Sequence, residues 1–384
     1  MQFMDILLMH YGWEGVALMV LLLILFGVQL YYYLFAYGPI ATYKNHERRT
    51  ILDTEPAVSV IIPLFSEDSS FVEERLPLIV AQEYPNFEVV LVYVGSNNDF
   101  FEDLTQLKHT FPQINVTKIH LNPRYPISRK MALNVGIKSS HNEHLVFSST
   151  EIVPSSDQWL SLMAKGFCKG DIVLGYCGVE RSEGLWNYVM RVWRMMHAAD
   201  WLARAVGRNP YRGTLHNLGF TKKIYFDANG FSHLNMNIGE DDLFMQKVMT
   251  TDNVSVILSP RASLRETPWG GFRGWFDNER YFGSAEEFYP TTIKNFIRWE
   301  LGSRTLFFLL VVSALVLLPA ELKIAAGILL VVRYILVALE VRRLAQRLGE
   351  TGVVGRYFLY DLLSPLLALA LRVSLLRKDE RVWR

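Results

Sequence analysis

Residues 58–63 read Val58-Ser59-Val60-Ile61-Ile62-Pro63, and residues 88–94 read EVVLVYV before Gly95-Ser96. Apolar runs of this length suit strands buried on both faces, so each is predicted as an inner strand of a parallel sheet, the first broken by its proline. Between them Ser69 to Gln82 has helical spacing, which completes a βαβ unit. Leu145-Val146-Phe147, Asp171 to Tyr176 (DIVLGY) and Val254 to Leu258 continue the alternation, so the stretch from 57 to about 300 is expected to be an α/β domain. Ligands of such sheets bind beyond the carboxyl ends of the strands. Pro63 to Asp68, Gly95 to Asp99 and Ser148 to Pro154 are therefore expected to meet in one crevice.

The flanks obey a different solvent. With 51% hydrophobic and 20% charged residues among 384, the chain is too apolar to be wholly water-soluble. Val16 to Phe35 lies in a charge-free stretch and has the length of about 20 residues that crosses a bilayer. A cleaved signal peptide would have a shorter run, a basic start and a small-x-small site, whereas Asp5 and Glu14 precede this one, so residues 1–43 are expected to be a membrane anchor. Lys44, Arg48 and Arg49 follow, which puts the N-terminus outside and residues 44–300 in the cytoplasm.

Residues 301–384 return to lipid. Thr305 to Ala320 and Ile324 to Leu339, the latter interrupted only by Arg333, form a hairpin through Pro319 to Lys323, and Arg342, Arg343 and Arg347 mark its cytoplasmic exit. Tyr357 to Leu371 is short, holds Asp361 and Pro365, and precedes Arg377, Lys378, Arg381 and Arg384. It is expected to be an interfacial or re-entrant helix, with a fourth span as the alternative. The 39 Lys and Arg balance 38 Asp and Glu, so no basic field points to nucleic acid. Cys168 and Cys177 lack zinc spacing and read as buried thiols of a reducing compartment.

The succession VSVIIPLFSED, VLVYVGSNND, RKMALNVGIKSS, LVFSSTEIVP, GTLHNLGFTKK, IGEDDLF and FDNERYF, from Val58 to Phe282, resembles the membrane-bound family 2 glycosyltransferases, among them the synthases of cellulose, chitin and hyaluronan. The resemblance implies a GT-A fold, a Rossmann-like α/β nucleotide-sugar transferase domain with flanking transmembrane helices. It also implies a nucleotide-sugar donor, a Mg or Mn ion and inverting transfer to a lipid-linked or polysaccharide acceptor, with a partner transferase or export subunit as a possible associate. By motif position it assigns Asp241 as the base, flanked by Glu240 and Asp242. It assigns Pro63, Phe65, Glu67, Val94, Ser96, Arg129, Lys130 and Arg280 to the donor, Asn217 and Glu266 to the acceptor, and Ser149 and Glu151 to the metal.

The residues carry readings of their own. Packed acids before the helical run Leu243 to Met249 also suit a helix N-terminus, so capping competes with catalysis there. Arg129 and Lys130 stand before an apparent helix from Met131 to Ser139, where a cation opposes the dipole and needs an anionic partner. The chain departs from the family on the donor side. Ser149-Thr150-Glu151 replaces Asp-x-Asp, which leaves a hard cation one carboxylate short. Tyr93-Val94 replaces an acidic pair that reads the base, and Asn278-Glu279-Arg280-Tyr281-Phe282 sets the arginine of Gln-x-x-Arg-Trp one place early. These changes keep open a catalytically silent scaffold in polysaccharide assembly.

Three further segments are ambiguous from sequence. In Gly184 to Arg208 the apolar face of Leu185, Val189, Trp193 and Met196 fits either the membrane interface or the core. Pro290 to Arg304, with Phe296, Arg298 and Trp299, is expected as a surface helix feeding the hairpin. His197, His216 and His233 lack ligand spacing and are expected in packing or surface roles.

Overall fold

The computed structural model describes residues 2–43, 55–121, 127–234, 239–268 and 270–377. Lys44, Arg48, Arg49, Lys378, Arg381 and Arg384, on which the expected orientation draws, lie outside the described residues, as does the side chain of His233.

The expected strands form the centre of a seven-stranded sheet. Its strands are β1 (Val58–Leu64), β2 (Phe87–Val94), β3 (Ile114–Ile119), β4 (His144–Phe147), β6 (Ile172–Gly175), β8 (Leu218–Thr221) and β9 (Val254–Ile257), in the order β3-β2-β1-β4-β8-β6-β9. Only β8 runs antiparallel to its neighbours. A second sheet, β5 (Ile152–Pro154), β10 (Leu264–Glu266) and β7 (Cys177–Val179), sets Glu266 opposite Ile152. Because β1 lies between β2 and β4, the order switches there and a crevice opens at their carboxyl ends.

Pro63 does not break its strand. β1 continues to Leu64, and at Pro63 it pairs with Val92 on one side only, since the β4 ladder stops at Ile61 opposite Phe147. A proline's missing N–H is harmless where the strand has an open side. The expected helix at 69–82 starts where expected and runs over 69–80, with a π-helical turn Phe71–Arg75 before Leu76–Val80. β3 was not expected, because INVTKI alternates little and its middle residues are only partly buried at the sheet edge.

The helix Leu185–Val206 resolves to core. It is buried on nearly all sides, packed between the strands β7 and β9, the segment Tyr31–Thr42 and the membrane-side helices. Cys168 departs from the expectation and is exposed, whereas Cys177 is buried.

Among the described residues four helices are long and apolar enough to cross a membrane: His10–Thr42, Thr291–Leu317, Ala320–Leu348 and Tyr357–Leu376. The first three pack together through Leu22, Leu25, Phe307, Val311, Ala314 and Ala326. The surface helix expected from Pro290 to Arg304 and the first limb of the hairpin are one continuous helix. The last helix runs from Tyr357 to Arg377, longer than expected, and its Asp361 is no bar to burial. Asp361 meets Arg333 at 2.5 Å and Arg304 at 3.5 Å, while Gln29 accepts from Arg333 at 3.0 Å, so the buried charges here are paired.

One carboxylate ties this membrane part to the sheet. Glu350, just past the helix Ala320–Leu348, accepts from Arg191 at 2.7 Å, from the Tyr176 hydroxyl at 2.9 Å and from Arg265. Gly178 is needed for this approach, because a Cβ there would stand 2.4 Å from the Glu350 carboxylate and closer still to Arg265. Removing one partner of a buried ion pair costs about 3–5 kcal/mol, since the other charge stays uncompensated. Glu350→Ala should therefore lower the thermal midpoint in detergent substantially, and Glu350→Gln, which still accepts from Tyr176, should lower it less. Equal midpoints for wild type and Glu350→Ala would show that the pair carries no stability.

Candidate active site

Gly239, at φ 90°, turns the chain into three acids and the short helix Asp242–Val248. All three acids are buried, yet each faces a different environment. Successive residues at a helix start are fanned around its axis, so neighbours in sequence point apart.

Glu240 turns toward the helix Arg129–Ser139, with its Oε1 at 3.8 Å from Arg129 Nε. Burial pushes its carboxyl up to about 7; Arg129 and Lys130 pull down and Asp241 pushes up. Asp242 accepts from the Tyr289 hydroxyl and, at 2.8 Å, from the amide of Leu243. Burial and then Asp241 push it up to about 7 against Arg212. Asp241 accepts the amide of Asp242 at 2.8 Å and lines the large cavity of the molecule. Capping and exposure to the cavity, alternatives by sequence, coexist in this residue.

The cavity occupies about 1660 Å³ including its open part. Beside Asp241 its wall carries Arg194, Arg212, His216, Glu279 and Phe282, and farther along it carries Ile297, Leu301, Leu371 and Leu375 of the helices Thr291–Leu317 and Tyr357–Arg377. Arg194 pairs with Glu266 at 2.7 Å, and the His216 ring lies 3.9 Å from the other Glu266 oxygen. Burial holds His216 down to about 4 despite Glu266, so this imidazole is neutral near pH 7. Glu279 accepts from Trp193 at 3.0 Å. His197 and His216, expected in packing roles, both line the cavity. No spacing rule finds Arg194, Arg212 or His216, because the fold alone brings them to Asp241.

The loops expected at the carboxyl ends of the strands do converge. Glu67, beyond β1, accepts from Asn97 at 2.9 Å and from the Tyr93 hydroxyl at 3.3 Å, beside Val94 at the end of β2. Pro63 and Val94 are buried in their strands, whereas Phe65 and Ser96 are exposed at the rim. Lys130 donates to the carbonyl of Leu234 at 2.8 Å. Glu151 lies near Arg75, Arg129 and Glu266; burial first and Glu266 second raise its carboxyl, and the two arginines lower it.

Two of the assigned residues make contacts within the fold. Asn217 accepts from Trp159 at 3.0 Å and donates to the carbonyls of Tyr176 and Ala262, both at 2.9 Å, so it props β8. Arg280 pairs with Asp277 at 3.4 Å on its own helix, Gly271–Gly283, whose Glu279 and Phe282 face the cavity instead. The metal corner does not fit a resident cation. Of the two residues assigned to the metal only Glu151 is a carboxylate and Ser149 offers a hydroxyl; the neighbouring Asp68 and Glu266 are paired with Arg75 and Arg194, and Arg75 also binds the Thr150 carbonyl in the same turn. Among the described residues no group of three His, Cys, Asp or Glu side chains is placed to hold a metal.

The raised acids give stability a definite pH sign. Asp242 keeps its proton up to about 7 in the folded state against 3.8 for an ordinary aspartate, so the folded state binds more protons and loses stability as pH rises through that window. Asp242→Asn removes this loss. Its thermal midpoint relative to wild type should shift upward between pH about 4 and about 7 and stay level below it. A relative midpoint that does not move with pH would mean that Asp242 is ionised throughout.

Comparison with known proteins agrees with this architecture. The mannosyltransferase PcManGT from Pyrobaculum calidifontis, solved in complex with GDP-Man and Mn2+, is 16% identical, covers 91% of this chain and 99% of its own, and has a TM-score of 0.54, a likeness of fold. S. aureus TarS 1-349 in complex with UDP-GlcNAc is 14% identical over 76% of this chain and 73% of its own, at a TM-score of 0.40. No curated protein matches the chain. The family model described as glycosyl transferase family 21 matches residues 19–367. A sheet that switches order at β1, an acidic turn beyond it, four apolar helices and a family match over most of the length lead to one conclusion: the chain belongs to glycosyl transferase family 21 and is a GT-A-type glycosyltransferase.

Proposed function

We propose that the protein transfers a sugar, with inversion, from a nucleotide-sugar donor to a hydroxyl of a lipid or lipid-linked acceptor that enters from the bilayer. The observation that carries this reading is the cavity itself, lined at once by Asp241 and by apolar residues of two helices long enough to lie in a membrane. A polysaccharide acceptor in water would need no such apolar wall.

In this reading Asp241 accepts the proton as the acceptor oxygen bonds to the anomeric carbon. The bond from that carbon to the diphosphate breaks, and its electron pair leaves on the phosphate oxygen. Arg129 and Lys130 meet the departing charge, and Glu67 with Asn97 and Tyr93 borders the nucleoside. Glu266, Arg194 and His216 orient the acceptor. No step is assigned to a metal.

Asp241→Asn keeps the shape and still accepts the Asp242 amide but takes no proton. Sugar transfer into membrane lipid, from a panel that includes GDP-mannose and UDP-GlcNAc, should fall by about 10² to 10⁴ while the thermal midpoint holds. An active Asp241→Asn removes it from the mechanism; a wild type that uses no nucleotide sugar supports a scaffold role.

The catalytic domain is placed on the cytoplasmic side, with the N-terminus outside. The end of the helix Ala320–Leu348 supports the hairpin, since Arg347 donates to the Tyr43 carbonyl at 2.7 Å beside the domain. The helix Tyr357–Arg377 is read as interfacial. One face packs on the helices Leu185–Val206 and Gly271–Gly283, and Arg372 approaches Glu286 of the domain at 4.0 Å. The other exposes Phe358, Leu362, Leu366, Leu369, Val373 and Leu376 in one apolar stripe. A reporter fused at Arg384 should stay cytoplasmic, and a signal from the far side would make this helix a fourth span.

A further inference from the structure

We propose that Glu240 is a stand-in for the donor diphosphate: its carboxylate balances Arg129 and Lys130 until the diphosphate displaces it, and it takes up a proton from solvent as it is displaced. The proposal rests on the reading of Arg129 and Lys130 as the diphosphate-facing cations.

The geometry of the pair is what distinguishes it. Other buried arginine–carboxylate pairs stand closer, 2.7 Å for Arg191 with Glu350 and for Arg194 with Glu266, and 3.2 and 3.5 Å for the cavity-lining Arg304 with Glu300 and Asp361. Arg129 and Glu240 stand at 3.8 Å, beyond hydrogen-bond range, with the arginine side chain 23% exposed toward the crevice and the carboxylate 3%. The second oxygen, Oε2, is buried and has no hydrogen-bond partner among the described residues. A structural ion pair would satisfy that oxygen, because a buried unpaired one is costly. The two cations sit at the first turn of the helix Arg129–Ser139, where the dipole already favours an anion over a cation. Glu240 supplies the anion with an imperfect fit, and a diphosphate fits the same place better.

The charged groups facing Glu240 are Arg129 and Lys130 from that helix and Asp241 from its own turn. Burial pushes its carboxyl up to about 7 against the pull of the two cations, so it is ionised above that pH. A diphosphate on those cations cancels their pull and adds like charge, so the proton affinity of Glu240 rises and the carboxylate becomes a carboxylic acid. Binding then takes up close to one proton above pH about 7, and affinity falls by up to tenfold per pH unit there, as ionised Glu240 competes for the cations.

Calorimetric titration of the full-length protein in detergent tests this, with UDP-GlcNAc and GDP-mannose as probes, since diphosphate diesters have no ionisation of their own near neutrality. Titrations from pH about 6 to about 8, in two buffers of different ionisation enthalpy, read affinity and proton uptake together. The wild type should weaken as pH rises and take up a proton. Glu240→Gln should bind at least as tightly, without pH slope or uptake, and Glu240→Asp should keep both. Glu240→Gln that keeps the wild-type slope, or binds more weakly at a wild-type thermal midpoint, overturns the proposal. Arg129→Gln should weaken binding about tenfold or more; if it does not, the donor reading beneath the proposal fails instead.

Discussion

Three consecutive carboxylates cannot be buried together unless each finds its own compensation, because like charges side by side in a low dielectric cannot all stay ionised. Glu240, Asp241 and Asp242 solve this by pointing apart: one toward Arg129, one into the cavity, one onto Tyr289 beside Arg212. Much of the site follows. The helix Arg129–Ser139 is drawn against the acidic turn, and Tyr289, just before the helix Thr291–Leu317, fastens that turn to the membrane side.

The apolar helices and the α/β domain are joined by polar contacts. Glu350 gathers Arg191, Arg265 and Tyr176, which joins the exit of the hairpin to β10, the strand that carries Glu266. Asp361 gathers Arg333 and Arg304, and Arg304 also lines the cavity. On the proposed route, a lipid acceptor entering between the helices Thr291–Leu317 and Tyr357–Arg377 would pass this polar wall on its way to Asp241. That sequence of environments suits a molecule with an apolar tail and a hydroxylated head.

The corner that the resemblance assigns to the donor is altered rather than empty. Where two acids would read the base, Tyr93 and Asn97 instead hold Glu67 from the neighbouring loop. Where a second carboxylate would hold a cation, Arg75 binds the turn and brings positive charge of its own. Both changes exchange a side chain from one loop for a side chain from the next, which a linear motif cannot record.

What the sequence determined by itself is what depends on local pattern. Apolar runs fix β1, β2, β4, β6 and β9, long apolar stretches fix the membrane helices, and motif order locates the acidic turn at Gly239. Short or edge strands such as β3, β5 and β10 escaped, because so few residues hold too little periodicity to read. Only the tertiary structure decided which charged residues face one another. It made Asn217 a core prop, kept Arg280 with Asp277, paired Asp361 with Arg333 so that a charged helix could be buried, and brought Arg194, Arg212 and His216 to Asp241. The reason is physical: the energy of a charge is set by neighbours distant in sequence and by the water excluded around it, and neither is a property of the local chain.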